Sequence, residues 1–179
     1  MWNKVLQDKR EGEIRKAMQI LEPKLEDIVF QTGEPGYWRP SGRSYGARSG
    51  ILASFTGDKR RVPLGSLGDG MRRMLALSVS LTNAQGGYLL HDEIDTGFHY
   101  SIMAKMWELV VRTAIVSGTQ VFATTHSADC VRGLGVLCHQ FPELRDAVSA
   151  HKIDQSLDRS IPFTGAEVLN AVEQNIEIR

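Results

Sequence analysis

Two adjacent carboxylates close an apolar run in this chain, where Tyr88-Leu89-Leu90-His91 leads into Asp92-Glu93-Ile94-Asp95. A second run, Gln120-Val121-Phe122-Ala123-Thr124-Thr125, ends in His126. Open α/β sheets bind ligands beyond the carboxyl ends of their strands, so acid and imidazole delivered to one such edge suggest metal-assisted phosphate chemistry. Asp92 is the candidate metal ligand, because a hard cation such as magnesium prefers carboxylate oxygen. Glu93 is the candidate base, placed to orient and deprotonate a water attacking a γ-phosphate. His126 could hydrogen-bond that phosphate or the water. The plainer account is a solvated acidic strand end with a structural histidine, and acidic residues are common at such loops.

A third stretch, Ser66-Leu67-Gly68-Asp69-Gly70-Met71-Arg72-Arg73, opens a helix. Glycines let backbone amides approach a phosphate, and a helix N-terminus favours an anion. An ordinary loop with Asp69 as the helix cap would read the same way. A competing constellation is a transition-metal nest of His91, Asp92, Glu93, Asp95 and His99. On a strand, residues 91 and 93 share one face while 92 points to the other. All five then converge only through a sharp turn.

The elements that must position these residues follow from periodicity. Lys9 to Leu21 predicts a helix with Ile14, Ala17, Met18 and Leu21 on one face, stopped by Pro23. Glu26 to Gln31 predicts a short strand, and Thr32 to Ser49, rich in Gly, Pro, Ser and Arg, a loop. Ile51 to Phe55 and Arg60 to Leu64 predict a hairpin around Thr56-Gly57-Asp58-Lys59. Asp69 to Thr82 is helical in pattern, closed by Asn83 to Gly87. Tyr88 to His91 reads as a buried strand, Ser101 to Val116 as a long helix ended by Ser117-Gly118, and Gln120 to Thr124 as the next strand. Ala128 to Cys138 is a helix weakened by Gly133 and Gly135, Ala147 to Asp154 and Arg159 to Phe163 a closing hairpin, and Ala166 to Gln174 a last helix. Helix, strand, helix, strand from Asp69 to Thr124 indicates a parallel sheet. The fold class is therefore α/β, a mainly parallel sheet with flanking helices and added antiparallel hairpins.

Composition bounds the function. At 179 residues the chain has the length of one domain. It is 42% apolar and 23% charged, with a formal net charge of zero, so no global field attracts nucleic acid or anionic membrane. Nucleic acid is thus not indicated, although Lys59-Arg60-Arg61 and Arg72-Arg73 offer local basic patches. No apolar run reaches the length of a membrane span, and the charged start, Met1 to Arg15, lacks the apolar core of a signal peptide. Cys130 and Cys138 fit no zinc-ribbon spacing and read as reduced, buried or half-buried thiols of a cytoplasmic protein.

In order and spacing, these pieces resemble the C-terminal half of an ABC-type ATPase, closest to the stand-alone SMC, RecF and OLD-like group. Ser66 to Arg73 resembles the signature motif, Tyr88 to Glu93 Walker B with its catalytic glutamate, Ile94 to Tyr100 the D-loop, and His126 the switch histidine. The resemblance covers roughly Pro63 to Cys130. It implies ATP and magnesium as cofactors, Asp92 on the metal, and Glu93 and His126 in catalysis. Ser66, Gly68, Asp69, Gly70, Asp95 and His99 would contact nucleotide, with the glycine loop reaching ATP held by a second subunit in an ATP-dependent dimer. Residues 1–62 would then be a lid or arm remnant with its hairpin, 63–140 the signature-to-switch core, and 141–179 a C-terminal hairpin and helix. There are departures: the family signature reads Leu-Ser-Gly-Gly-Gln, His91 replaces an apolar Walker B residue, and His99 stands where transporter D-loops carry aspartate.

The largest departure is the phosphate-gripping loop, since no Gly-x-x-x-x-Gly-Lys-Ser/Thr occurs. The nearest stretch, Gly36 to Ser44, has one residue too many, arginine for lysine and a proline in the loop. The expectation is therefore the C-terminal portion of a longer ATPase, active only with a Walker A-bearing half or a second subunit. A nucleotide-independent interaction module derived from an ATPase half and a metal-dependent hydrolase are the alternatives.

Overall fold

The computed structural model describes residues 2–31, 50–154 and 156–178. The loop expected over 32–49, including the stretch Gly36 to Ser44, lies outside them. The chain opens with two helices, α1 (Trp2–Gln7) and α2 (Glu11–Met18), where periodicity predicted one. The break falls at Lys9, in left-handed conformation at φ 54°. Arg10 then turns its guanidinium onto Glu13 and onto the Thr82 carbonyl, 2.6 Å away. Ile14, Ala17 and Met18 are buried, as the apolar face required.

Strands β1 (Leu25–Gln31), β2 (Gly50–Phe55) and β3 (Asp58–Pro63) form an antiparallel sheet in the order β1-β2-β3. The β2–β3 hairpin turns at Gly57, whose φ of 87° suits a residue without a Cβ. A 3-10 turn at Leu64–Leu67 leads into α3 (Asp69–Asn83). Next come β4 (Tyr88–His91), a 3-10 turn at Tyr100–Ile102, α4 (Met103–Ser117) and β5 (Gln120–Ala123). Gly118 ends α4 in the left-handed conformation, as a C-terminal glycine should. Strands β4 and β5 pair in parallel, Tyr88 against Gln120 and His91 against Ala123. The chain closes with α5 (Ala128–Gln140), a 3-10 segment at Pro142–Ala147, the antiparallel pair β6 (Ser149–Lys152) and β7 (Ile161–Thr164), and α6 (Gly165–Glu173). Thr164 and Glu167 form a reciprocal capping box at the start of α6.

The fold is mixed α/β, with the parallel pair and both hairpins where the sequence placed them. The hairpins form sheets of their own and do not extend the parallel pair. One core cluster gathers α1 to α4 around Met18, Leu25, Met74, Leu81, Met106 and Leu109. A second lies between α4, α5 and α6 around Val111, Leu137 and Val168. Trp107 packs against both and donates to the Cys130 carbonyl at 2.9 Å.

The reading of β4 as a buried strand is corrected. Leu89 and Val121 pack against the core, but Tyr88 and Leu90 on the opposite face are 68% and 77% exposed. Phe122, beside Leu90 in register, is 53% exposed. An apolar run carries no information about which layer covers it, and here only one face is covered.

Gly133 and Gly135 mark close approaches between helices. A Cβ on Gly133 would sit 2.5 Å from the Met103 Cβ, and one on Gly135 would sit 2.6 Å from a Val172 methyl. Gly12 of α2, by contrast, has nothing within 4 Å of its Cβ position. Gly133→Ala should therefore destabilise the chain by about 1–3 kcal/mol, the scale of overpacking. Gly12→Ala should stabilise it by about 0.5 kcal/mol through the unfolded chain. Urea denaturation of the two variants checks the opposite signs.

Candidate functional site: the acid turn beyond the parallel pair

Strand alternation stops at His91. The chain bends through Asp92 and Glu93, and Glu93 adopts a left-handed conformation at φ 47°. Ile94 then plunges into the core, 1% exposed, and anchors the turn. The neighbouring strand grips it as well. The Thr124 amide donates to the His91 carbonyl and the Ile94 amide to the Thr124 carbonyl, each at 3.0 Å. The Thr124 hydroxyl accepts from the Glu93 amide at 2.9 Å and donates to Asp92 Oδ1. Two turns follow, closed by Thr96 N–H to the Glu93 carbonyl and Phe98 N–H to the Asp95 carbonyl.

Asp92 and Glu93 are exposed and line a cleft of about 340 Å³ with His91, Thr96, Phe98 and Arg73 of α3. Thr96 Oγ1 donates to Glu93 Oε2 at 3.1 Å. The Arg73 guanidinium lies against Gly97, in the space a Cβ there would take, and the φ of 77° at Gly97 is a backbone conformation that favours glycine. The cleft thus sets one cation opposite two carboxylates at the C-terminal edge of a parallel pair. Such an arrangement can hold a polyanion with a divalent cation.

The remaining predicted residues lie outside the cleft lining. Asp95 is half-buried and accepts from the Thr125 hydroxyl. His99 caps the 3-10 turn at Tyr100, with Nδ1 2.9 Å from the Ser101 hydroxyl and its ring 4.2 Å from that of Tyr100. His126 is exposed, two residues beyond Thr124. Ser66 donates to the Pro63 carbonyl at 2.7 Å. Gly68 takes φ 95° and ψ 164°, a conformation open essentially to glycine alone, and is the N-cap of α3. Asp69 is therefore the first helical residue and not the cap, and it pairs with Arg72 at 2.9 Å. Gly70 faces Ile102, 3.4 Å from its Cβ position.

Sequence reasoning passed over Thr124, Thr96 and Arg73 as members of this neighbourhood. The only available signal was a Thr-Thr pair at the end of an apolar run. The metal-nest argument also fails in its premise, because β4 ends at His91 and alternation does not govern residues 92 to 95. Even with the sharp turn, no group of three or more His, Cys, Asp or Glu side chains gathers for a metal among the described residues. The basic patches are partly neutralised, Arg60 by Asp58 and Arg72 by Asp69. No helix among the described residues is long and apolar enough to cross a membrane.

The fold is similar to those of solved ATPase heads. A solved chain from "Structural biochemistry of ATP-driven dimerization and DNA stimulated activation of SMC ATPases" superposes with a TM-score of 0.54 at 10% identity, covering 92% of this chain and 89% of that chain. A second, from "Crystal structure of the SmcHead bound to the C-winged helix domain of ScpA", gives 0.50 at 12% identity, covering 86% of this chain and 42% of that one. At such identities the likeness is one of fold. No curated protein matches the sequence. The family model described as "AAA domain, putative AbiEii toxin, Type IV TA system" matches residues 11–129, more than half of the chain, and the chain belongs to that family.

Cys130 is fully buried next to the Thr125 hydroxyl. Burial pushes its thiol up to about 11, against a smaller opposing effect of the Thr125 hydroxyl. Burial also raises the Cys138 thiol. At pH 8 both thiols should react with a soluble disulfide reagent only as fast as the protein opens. The folded state holds the Cys130 proton above the ordinary thiol value of 9.0. Stability from this group is therefore fully present below pH 9 and is lost as pH rises towards 11, by at most about 1.4 kcal/mol per unit. Cys130→Ala should flatten that decline in denaturation measured across the window.

Proposed function

We propose that this chain supplies the catalytic-carboxylate half of an ATP-hydrolysing site, completed by a segment bearing Gly-x-x-x-x-Gly-Lys-Ser/Thr. The observation that carries the reading is the acid turn itself, with Asp92 and Glu93 adjacent, exposed and hydrogen-bonded to the neighbouring strand above a cleft that also holds Arg73. The donor set suits magnesium. Asp92 spends Oδ1 on the Thr124 hydroxyl and leaves Oδ2 without a partner among the described residues. Magnesium is commonly bound through one or two carboxylates plus phosphate oxygens, so one free carboxylate oxygen is enough. When bound, the ion neutralises charge that develops on the phosphates.

Glu93 leaves Oε1 without a partner among the described residues while Oε2 accepts from Thr96. It is placed to orient a water and take its proton. His126, carried on the same segment as Thr124, would hydrogen-bond the γ-phosphate. Ser66, Gly68, Asp69 and Gly70 at the start of α3, with Asp95 and His99 of the following loop, would face ATP held by a second subunit. ATP would then join two such subunits and hydrolysis release them.

The open face of the parallel pair supports the need for a second half. Parallel sheets are normally covered on both faces, and two strands alone are seldom stable. Tyr88, Leu90 and Phe122 leave one face uncovered. The same face would also serve nucleotide-independent docking, the second reading, and turnover separates the two.

Two outcomes are expected. The isolated chain should bind magnesium-ATP more weakly than the micromolar range in calorimetry, because most ground-state phosphate contacts in P-loop ATPases come from the missing loop and its lysine. With a Walker A-bearing segment supplied, Glu93→Gln should lower turnover by about 10²-fold or more while ATP binding persists. An unchanged rate would remove Glu93 from the role of base.

A further inference from the structure

We propose that Thr124 is a positioning residue for the acid pair, acting through Asp92 and Glu93 without touching nucleotide. The inference rests on the ATPase reading above. This one residue bonds four consecutive residues of the opposite segment. Its amide and carbonyl hold His91 and Ile94, each at 3.0 Å. Its hydroxyl accepts from the Glu93 amide at 2.9 Å and donates its single proton to Asp92 Oδ1. A hydroxyl has one donor and two acceptor sites, so both bonds form at once, and the one to the carboxylate is charge-assisted.

The two kinds of bond do different work. Any residue but proline at position 124 keeps the backbone pair and with it the strand register. Only the hydroxyl reaches the Glu93 amide and the Asp92 oxygen. Glu93 needs that hold, because a non-glycine residue at φ 47° costs about 1–2 kcal/mol and persists only where its surroundings fix it. The hydroxyl bond to its amide supplies the restraint from the strand side, and the Thr96 hydroxyl fixes the carboxylate. Thr125 forms a separate clasp, donating to Asp95 and accepting from the Ser127 amide at 3.0 Å. A change confined to the Thr124 hydroxyl therefore leaves the next turn tied.

The test compares Thr124→Val, which keeps shape and loses the hydroxyl, with Thr124→Ser, which keeps the hydroxyl. Two readouts are used. In the chain without nucleotide, amide hydrogen exchange followed by NMR should show Glu93 exchanging about tenfold faster or more in Thr124→Val, the scale of one lost local restraint. The Thr124→Ser rate should stay near that of the wild type. In the chain supplied with a Walker A-bearing segment, Thr124→Val should lower kcat by about 10- to 100-fold, the scale of a misplaced catalytic group, with KM for magnesium-ATP little changed. Thr124→Ser should restore most of the loss. Wild-type exchange at Glu93 together with wild-type kcat in Thr124→Val would overturn the proposal. So would a serine variant as impaired as the valine. Should the wild type itself fail to turn over ATP, the ATPase reading falls, and the exchange rates alone decide whether Thr124 holds the turn. If Thr124→Val does not fold, Thr124→Ala carries the same comparison, because the backbone bonds remain.

Discussion

In-register parallel pairing sets Tyr88 against Gln120 and His91 against Ala123, so β4 and β5 end at the same level. Both chain segments then leave the sheet on one side. The first becomes the acid turn and the second the Thr124-Thr125-His126 segment. Their proximity lets a threonine side chain reach across to Asp92 and Glu93, and a second reach Asp95. A one-residue slip of either strand would break these contacts and turn Leu89 or Val121 out of the core, so the register is fixed by burial on one face. Ile94 fixes the far end of the turn from below, and Gly97 leaves the space that Arg73 occupies from α3.

The same pairing has a cost. Face-to-face cover is what makes a parallel sheet stable, and the pair has it on one side only. The uncovered side carries Tyr88, Leu90 and Phe122, with the Tyr88 and Phe122 rings 6.3 Å apart. Exposed apolar clusters of this kind mark surfaces that another layer covers. The acid turn also lacks, within these 179 residues, the lysine and glycine loop that would grip a triphosphate. Both features agree with a shared site in which this chain brings the carboxylates.

The sequence was most legible where local rules act alone. Gly57 marked the hairpin, the apolar periodicity of Asp69 to Thr82 marked α3, and Gly118 marked the end of α4. The order of signature-like loop, acidic strand end and histidine was enough to reach the AAA-domain family. Long-range contacts were less legible. The periodicity reading began at Lys9 and so passed over α1, and the open face of β4 depends on a layer that no residue of β4 encodes. Gly133 and Gly135 read as weak points in a helix, yet they are where α5 meets α4 and α6. Within the site, the carboxylates announced themselves by charge. Thr124 did not, because a threonine at a strand end is ordinary until its partner is seen.

The proposed shared site sets the carboxylate half and the phosphate-gripping half of the active site on separate segments. The most direct test is magnesium-dependent ATP turnover by this chain alone and after addition of a Walker A-bearing segment. No turnover is expected from the chain alone, and turnover should depend on both components. Hydrolysis by the isolated chain, or a complete absence of hydrolysis once a folded Walker A half is bound, would contradict that arrangement.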